Sequence, residues 1–354
     1  MMKPHPLVTI CVPTFNGQRY IRECLSSILS QTFFNFEVLV VDDHSTDLTL
    51  NIVKEIAAKD SRFKIIVNST RLGLRRNHNN CVQLAEGTWI KFVHQDDLIA
   101  PNYLEEVMSI AYKNPELKLI CSHRHLIFDD SYSEETKKTI ADGVNRHSLL
   151  SIFPDKTEIL AGEFCKAVLD NIGINFVGSP ANSIFHQDVF QYFGPFNENL
   201  LQWGDYEFST RVAINTGIFS LPKVLTSARL HQHSVSSEIA NKRWYRGHKL
   251  DPLIIIHDFV THKFYEPLRL ASRQHIPKIS LFKTLCDDAF DCWRMARFAG
   301  KDQTESKDHH LLSQWQDVVN SYPSLSRFCA LGALHNFTSP WKLISNTKKL
   351  FSRI

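Results

Sequence analysis

Two pairs of adjacent carboxylates, Asp42-Asp43 and Asp96-Asp97, each close a run of apolar and β-branched residues, "FEVLVV" and "WIKFV". Like charges side by side repel and are costly to desolvate, so such a pair is either solvated in a turn or held by a cation. Two further polar clusters stand out: Pro13-Thr14-Phe15-Asn16 after "LVTICV", and Asp205-Tyr206-Glu207 at the head of a stretch with helical spacing. Singly, each reads equally well as a turn, an N-capping loop or a carboxylate complementing a helix dipole. Together they suit a hard divalent cation, which prefers oxygen ligands. No strand is followed by G-x-x-x-x-G-K-[ST] or G-x-G-x-x-G, so a phosphate bound here would be held through a metal.

The elements that must position these clusters alternate. "LVTICV" reads as a strand and residues 17–31 as a helix with Tyr20, Ile21, Cys24, Leu25, Ile28 and Leu29 on one stripe. "FEVLVVDD" is a second strand, followed by a helix over 47–60 that Ser45 and Thr46 are placed to cap. "FKIIVN", a helix over 74–85 and "TWIKFV" complete four β/α units. Such a pattern predicts an α/β fold, a mostly parallel, Rossmann-like sheet flanked by helices, with ligands beyond the carboxyl ends of the strands. The polar clusters fall at those ends.

Composition narrows the function classes. A net charge of +3 over 354 residues is too weak to suggest nucleic acid. The eight cysteines are scattered through apolar runs without C-x-x-C spacing, which reads as reduced core residues in a reducing, cytoplasmic compartment. The N-terminus resembles a first strand more than a signal peptide, and no apolar run reaches the roughly 20 residues that cross a bilayer. The expectation is a soluble or peripheral protein.

The stretch from "VTICVPTFNGQRY" to "VVDDHSTD", the N-x-x-x-x-G spacing from Asn68 to Gly73, "AEGTWIKFVHQDD" and "WGDYEFSTRVA" occur in an order and at a spacing that resembles the family 2 glycosyltransferases with the GT-A fold. The resemblance spans residues 7–235. It implies a catalytic domain over 1–240, with 241–354 left as a helical C-terminal extension.

What the resemblance implies is inverting transfer of a sugar from a nucleotide-diphosphate donor, a UDP-sugar, to a hydroxyl of a glycan or lipid-linked acceptor in surface polysaccharide synthesis. Gln95-Asp96-Asp97 stands at the D-x-D motif, which holds Mn²⁺ or Mg²⁺ on the donor diphosphate. Asp97 is then the direct metal ligand, and Asp96 contacts the ribose or the metal through water. Asp43 accepts from the base, with Pro13, Thr14 and Phe15 packed around it, and Asn77 joins the donor contacts. Asp205 is the general base, with Trp203 before it as an acceptor platform or a core residue. In "SARLHQHSVS", Arg229 is a supporting cation and His231 a metal ligand or phosphate contact. Two departures stand out: Gln95 replaces the first Asp of the motif, and Gly204 replaces a Glu before the base.

Two other readings compete. A sugar-phosphate nucleotidyltransferase shares the sheet and the metal carboxylates but presents an N-terminal Gly-rich loop with a basic residue, absent here. A catalytically silent nucleotide- or glycan-binding protein keeps the fold and loses the base. In the extension, Leu281, Leu285, Ala289, Trp293 and Ala296, and then Leu311, Leu312, Trp315 and Val319, keep helical spacing and read as core. Residues 131–160 read as an insertion on the acceptor side. The last segment, 339–354, interleaves four basic residues with apolar ones and no acid. It reads as a docked helix or as an interfacial anchor on the inner face of the cytoplasmic membrane.

Overall fold

The computed structural model describes residues 6–234, 237–239, 244–276, 278–298 and 311–338. β1 (Val8–Thr14) is buried along its whole length because both its faces and both its edges are covered. It pairs in parallel with β2 (Phe36–Asp42) on one side and β4 (Trp89–Phe92) on the other, and β3 (Phe63–Val67) adds a further parallel strand to β2. The intervening helices are α1 (Ile21–Leu29), α2 (Thr49–Ala57) and α3 (Leu74–Leu84). Ile21, Cys24, Leu25 and Ile28 of α1 are fully buried in the core with Val8, Ile10 and Val12 of β1, as the helical stripe requires.

One expected cap is not made. Neither Ser45 nor Thr46 caps α2, because Ser45 Oγ is committed to Asp42 Oδ2 at 2.6 Å and to the Asn16 amide at 2.9 Å. Asp47 takes the role instead, accepting from the Thr49 amide at 2.9 Å.

Beyond β4 the sheet is mixed rather than parallel. Its order is β3-β2-β1-β4-β8-β6-β9-β5, with β7 also on β9. Here β5 is Leu98–Ile99, β6 Leu119–Phe128, β7 Glu158–Ile159, β8 Ser183–His186 and β9 Ile218–Leu230. No crossover helix returns a parallel strand beside β4; β8 runs antiparallel to both β4 and β6. β9 runs parallel to β6, but the register slips on either side of His123. The extra residues of β9 there include Pro222, which has no amide to give a ladder and is tolerated at a bulge. The remaining helices of this part are α4 (Tyr103–Lys113), α5 (Glu134–Arg146), α6 (Leu149–Ile152), α7 (Ala161–Asp170), α8 (Asp188–Phe193) and α9 (Gly204–Thr216).

The chain divides into two compact units, Met1–Glu198 with Gly204–Ser234, and Asn199–Trp203 with Val235–Ile354. The second unit is helical, with Asp251–Thr261, Glu266–Gln274, Leu281–Phe298, Leu311–Ser321 and Leu325–Thr338. Its helix over Leu281–Phe298 buries Leu281, Leu285, Ala289 and Ala296, while Trp293 is only half-buried. In Leu311–Ser321 the buried pair is Trp315 and Val318; Leu312 is exposed, and Val319 is one position off the buried face. Asp251, wholly buried, accepts the Gln202 amide at 2.7 Å and the Trp203 amide at 3.2 Å on one oxygen. Its other oxygen takes Arg246 at 2.6 Å. All eight cysteines are free, and all but Cys329 are buried. Among the described residues no helix is long and apolar enough to cross a membrane. The basic tail 339–354 lies outside the described residues.

Candidate active site

The carboxyl ends of β1, β2 and β4 meet at one edge, and the polar clusters expected there do converge, though not all as solvent-facing groups. Asp42 and Asp43 are both buried and both committed to protein donors. Asp42 takes the Thr14 hydroxyl at 2.9 Å and the Ser45 amide at 2.8 Å, fixing the turn in which His44 has φ +66°. Asp43, expected to accept from a base, instead accepts from Asn68 Nδ2 at 2.9 Å, the Leu72 amide at 2.7 Å and the Gly73 amide at 2.8 Å. Gly73 has φ +88°, a conformation that suits glycine.

Asn77, expected among the donor contacts, is 2% exposed. Its amide donates to Val41 O and accepts from Asn68, both at 2.9 Å, so it braces the Asp43 loop from behind. Pro13 and Thr14 are buried in the same wall. Phe15 is half-buried, with the Arg71 guanidinium 3.9 Å from its ring centroid. A planar apolar and cationic surface of this kind suits a nucleobase.

Gln95 turns away from the carboxylates and clasps the Phe15 backbone, accepting from its amide at 2.9 Å and donating to its carbonyl at 3.0 Å. An aspartate cannot do both. The departure from the D-x-D pattern therefore links the β4 end to the β1 end by a neutral, two-way hydrogen bond.

Asp96 and Asp97 are placed differently from each other. Asp97 is 5% exposed, and its oxygens accept from the Arg229 amide at 3.1 Å and from His94 Nδ1 at 3.3 Å. Asp96 is more open, and its carboxylate, not that of Asp97, lies 3.0 Å from His231 Nε2. Of the two residues expected on one metal, Asp97 and His231, only His231 meets a motif carboxylate directly, and that carboxylate is Asp96. Arg229 arrives on β9 and is largely spent on shape: its Nε donates to Asp96 O at 3.2 Å and its Nη2 to Glu23 at 2.7 Å, over the Tyr20 ring.

Behind Asp97 runs a chain of imidazoles. Leu74 O accepts from His78 Nδ1 at 2.7 Å, which makes His78 Nε2 the acceptor of His94 Nε2 at 3.1 Å. With Asp97 ionised, His94 then donates from both nitrogens. Burial works against a positive charge there, but the Asp97 carboxylate, with Asp205 and Asp96 beyond it, outweighs burial and holds the His94 pKa above the ordinary histidine value. Burial, followed by the His94 and Arg75 charges, pushes His78 well below it. Burial, with Asp96, also raises Asp97 despite its bonds to His94 and the Arg229 amide.

Asp205 sits in the first turn of α9, where the helix dipole favours a carboxylate. Its Oδ1 is 2.5 Å from Arg75 Nη1, and Arg75 is itself buried. Gly204 explains the missing Glu: a Cβ there would fall 2.5 Å from Arg75 Nε. Beside the base the structure has a buried arginine from α3 in place of a second carboxylate. Trp203, read as an acceptor platform or a core residue, belongs to the other compact unit.

Sequence reading gives no role to Arg75, His94 or Arg71, and names Asn68 only for its spacing to Gly73. The i, i+3 spacing of His94 and Asp97 and the loss of side chain at Gly204 were the available signals. Among the described residues no group of three or more His, Cys, Asp or Glu converges as a ready-made metal shell. Asp96, Asp97 and His231 nonetheless fit a Mg²⁺ or Mn²⁺ site. Such ions bind through one or two carboxylates and complete their shell with substrate phosphates and water.

Three comparisons bear on the whole. The pattern of the family described as glycosyl transferase family 2 matches residues 9–190. An uncharacterized glycosyltransferase of Haemophilus influenzae is 29% identical over 239 residues, 67% of this chain and 69% of that protein. The Escherichia coli UDP-Glc:alpha-D-GlcNAc-diphosphoundecaprenol beta-1,3-glucosyltransferase WfgD is 38% identical over 108 residues, 30% of this chain and 42% of its own. The solved structure of Staphylococcus aureus TarS residues 1–349 with UDP-GlcNAc superposes with a TM-score of 0.58 at 21% identity, covering 92% of this chain and 83% of that one. The Pyrobaculum calidifontis mannosyltransferase PcManGT, in complex with GDP-Man and Mn²⁺, superposes at 0.55 with 16% identity, covering 94% and 88%. Those structures share the GT-A fold, and the chain is a glycosyltransferase that belongs to glycosyl transferase family 2.

Proposed function

We propose that this glycosyltransferase moves a sugar, with inversion, from a UDP-sugar to a hydroxyl of a glycan or lipid-linked acceptor in surface polysaccharide synthesis. The observation that carries it is the convergence of Asp96, Asp97 and His231 at one strand edge with Asp205 in the first turn of α9. His94 and Arg124 each feel both Asp97 and Asp205, which supports reading the two sets of carboxylates as neighbours.

Phe15 and Arg71 receive the base, on a loop that Asp43, Asn68, Asn77 and Gly73 hold in shape. Asp96 and His231 hold a divalent cation, with Asp97 fixing the turn between the Arg229 amide and His94. When bound, Mn²⁺ or Mg²⁺ supplies positive charge to the diphosphate of the donor. Asp205 accepts the proton of the acceptor hydroxyl as its oxygen attacks the anomeric carbon. Arg75 keeps the carboxylate aimed. UDP as the nucleotide is supported by the relative named for UDP-Glc and by the TarS complex with UDP-GlcNAc. Residues 1–240 are the catalytic part in this reading and 241–354 an extension, with the tail beyond 338 as a peripheral contact to the inner membrane face.

The test is a thermal-shift panel of UDP-, GDP- and dTDP-sugars with Mn²⁺ and with EDTA. A UDP-sugar is expected to raise the melting temperature with Mn²⁺ and far less without it, because a ligand that binds only the native state stabilises it by mass action. A panel in which no nucleotide sugar shifts the transition would overturn the reading.

A further inference from the structure

A cavity of about 310 Å³ opens beside β6, walled by residues 121–124, by α5 and α6 of the 131–160 insertion, and by the 175–182 loop. Its chemistry is one-sided. Arg124, His123 and His147 line it, with Ser148, Ser151 and Asn145, and no Asp or Glu does.

Two of these groups are left without partners. The Arg124 guanidinium, half-buried, makes no hydrogen bond or ion pair among the described residues. The His123 Nε2 is buried with none. Burial disfavours the Arg124 charge, and Asp97, Cys121 and Asp205, acting through space, offset this only in part. A desolvated guanidinium without a hydrogen-bonded anion is costly, and such a cost persists where a ligand relieves it.

The backbone has been shaped to present the pair. The register of β6 against β9 breaks on both sides of His123, where bulging redirects side chains. Gly178, with φ +97°, lies so close that a Cβ there would approach Arg124 Nη1 to 3.2 Å. The cavity also neighbours the base: Arg124 is within electrostatic reach of both Asp205 and Asp97.

We infer that this cavity is an acceptor subsite that holds an oxyanion carried by the acceptor, a phosphate or a carboxylate, with Arg124 as its principal contact. A guanidinium binds either group through two parallel N–H···O bonds, and an oxyanion seated there would fix the acceptor with its hydroxyl towards Asp205. The inference rests on the glycosyltransferase reading above for the word acceptor, but the oxyanion site stands on its own geometry.

Calorimetric titration of inorganic phosphate and of D-glucuronate tests it, on the full chain, in EDTA and after saturation with UDP and Mg²⁺. The variants are Arg124→Gln and Val144→Trp, the second filling the cavity from α5. At least one oxyanion is expected to bind the wild type with a dissociation constant on the order of millimolar, with and without UDP. Binding should weaken by about tenfold or more in both variants, at unchanged melting temperature for Arg124→Gln. Phosphate alone marks a phosphorylated acceptor, and glucuronate alone a uronic acid. Absence of binding by either probe, binding that survives Arg124→Gln, or displacement by UDP would overturn the subsite. Failure of the wild type to bind UDP would instead overturn the proposed function and leave the EDTA titrations to judge the oxyanion site.

Discussion

Arg75 Nη1 stands 2.5 Å from Asp205 Oδ1, in the space that a side chain at position 204 would otherwise fill. The ion pair couples α3, which also carries the Asn77 brace, to the first turn of α9. Arg75→Gln is therefore expected to lower kcat by about tenfold while changing the donor KM little, because the carboxylate loses its aim rather than its donor. Gly204→Ala should act in the same direction by displacing Arg75. Steady-state kinetics of both variants checks this; wild-type turnover in Arg75→Gln would separate the pair from the reaction.

Asp205→Asn retains the shape and the hydrogen bond to Arg75 but cannot take a proton. Turnover should fall by about a hundredfold or more, with UDP binding retained. Turnover close to wild type would remove Asp205 from the chemistry.

Asp96 and Asp97 should separate experimentally. Asp96→Ala is expected to weaken UDP binding strongly in Mn²⁺ and hardly in EDTA. Asp97→Ala should also destabilise the protein by about 1–3 kcal/mol, since it removes the buried acceptor of the Arg229 amide and of His94. Calorimetry in the two buffers and thermal melts give both readings. If only Asp97→Ala loses metal-dependent affinity, the assignment of Asp96 as the cation-facing carboxylate is wrong.

Lys91 provides a prediction on pH. It is wholly buried, hydrogen-bonded to Ala181 O and close to the Tyr103 ring, and burial lowers its pKa to about 7. A lysine depressed in the folded state costs stability wherever the unfolded chain holds more protons, which is between about 7 and its ordinary value near 10.4. Stability from this group is full above that ordinary value and is lost progressively as the pH falls towards 7. The melting-temperature difference, Lys91→Met minus wild type, should therefore shrink as the pH is raised from 7 to 10. A gap independent of pH would mean that Lys91 stays charged in the fold.

The strands, helices and converging strand ends were legible because their signals are periodic and local. β1 and α1 carry continuous apolar patterns, and the carboxylate pairs mark the ends of β2 and β4. What was not legible depends on partners far apart in sequence. Nothing local distinguishes Asp43, taken up by Leu72 and Gly73, from an open carboxylate, and nothing at Gln95 announces that it clasps Phe15. The order of the sheet beyond β4 was likewise hidden, since β8 inserts between β4 and β6 through pairings that span at most about a quarter of the chain. Nothing local sets Arg75 apart from Arg76 beside it, although Arg75 is 6% exposed.

The two amides held by Asp251 immediately precede α9, the helix that bears Asp205. During synthesis the parallel strands and the Asp96 turn are complete long before Asp251 leaves the ribosome, and domains tend to fold from the N-terminus as they emerge. The Gln202 and Trp203 amides therefore receive their acceptor last. A chain cut after residue 234 would keep Asp205 while losing the carboxylate to which the Gln202 and Trp203 amides donate.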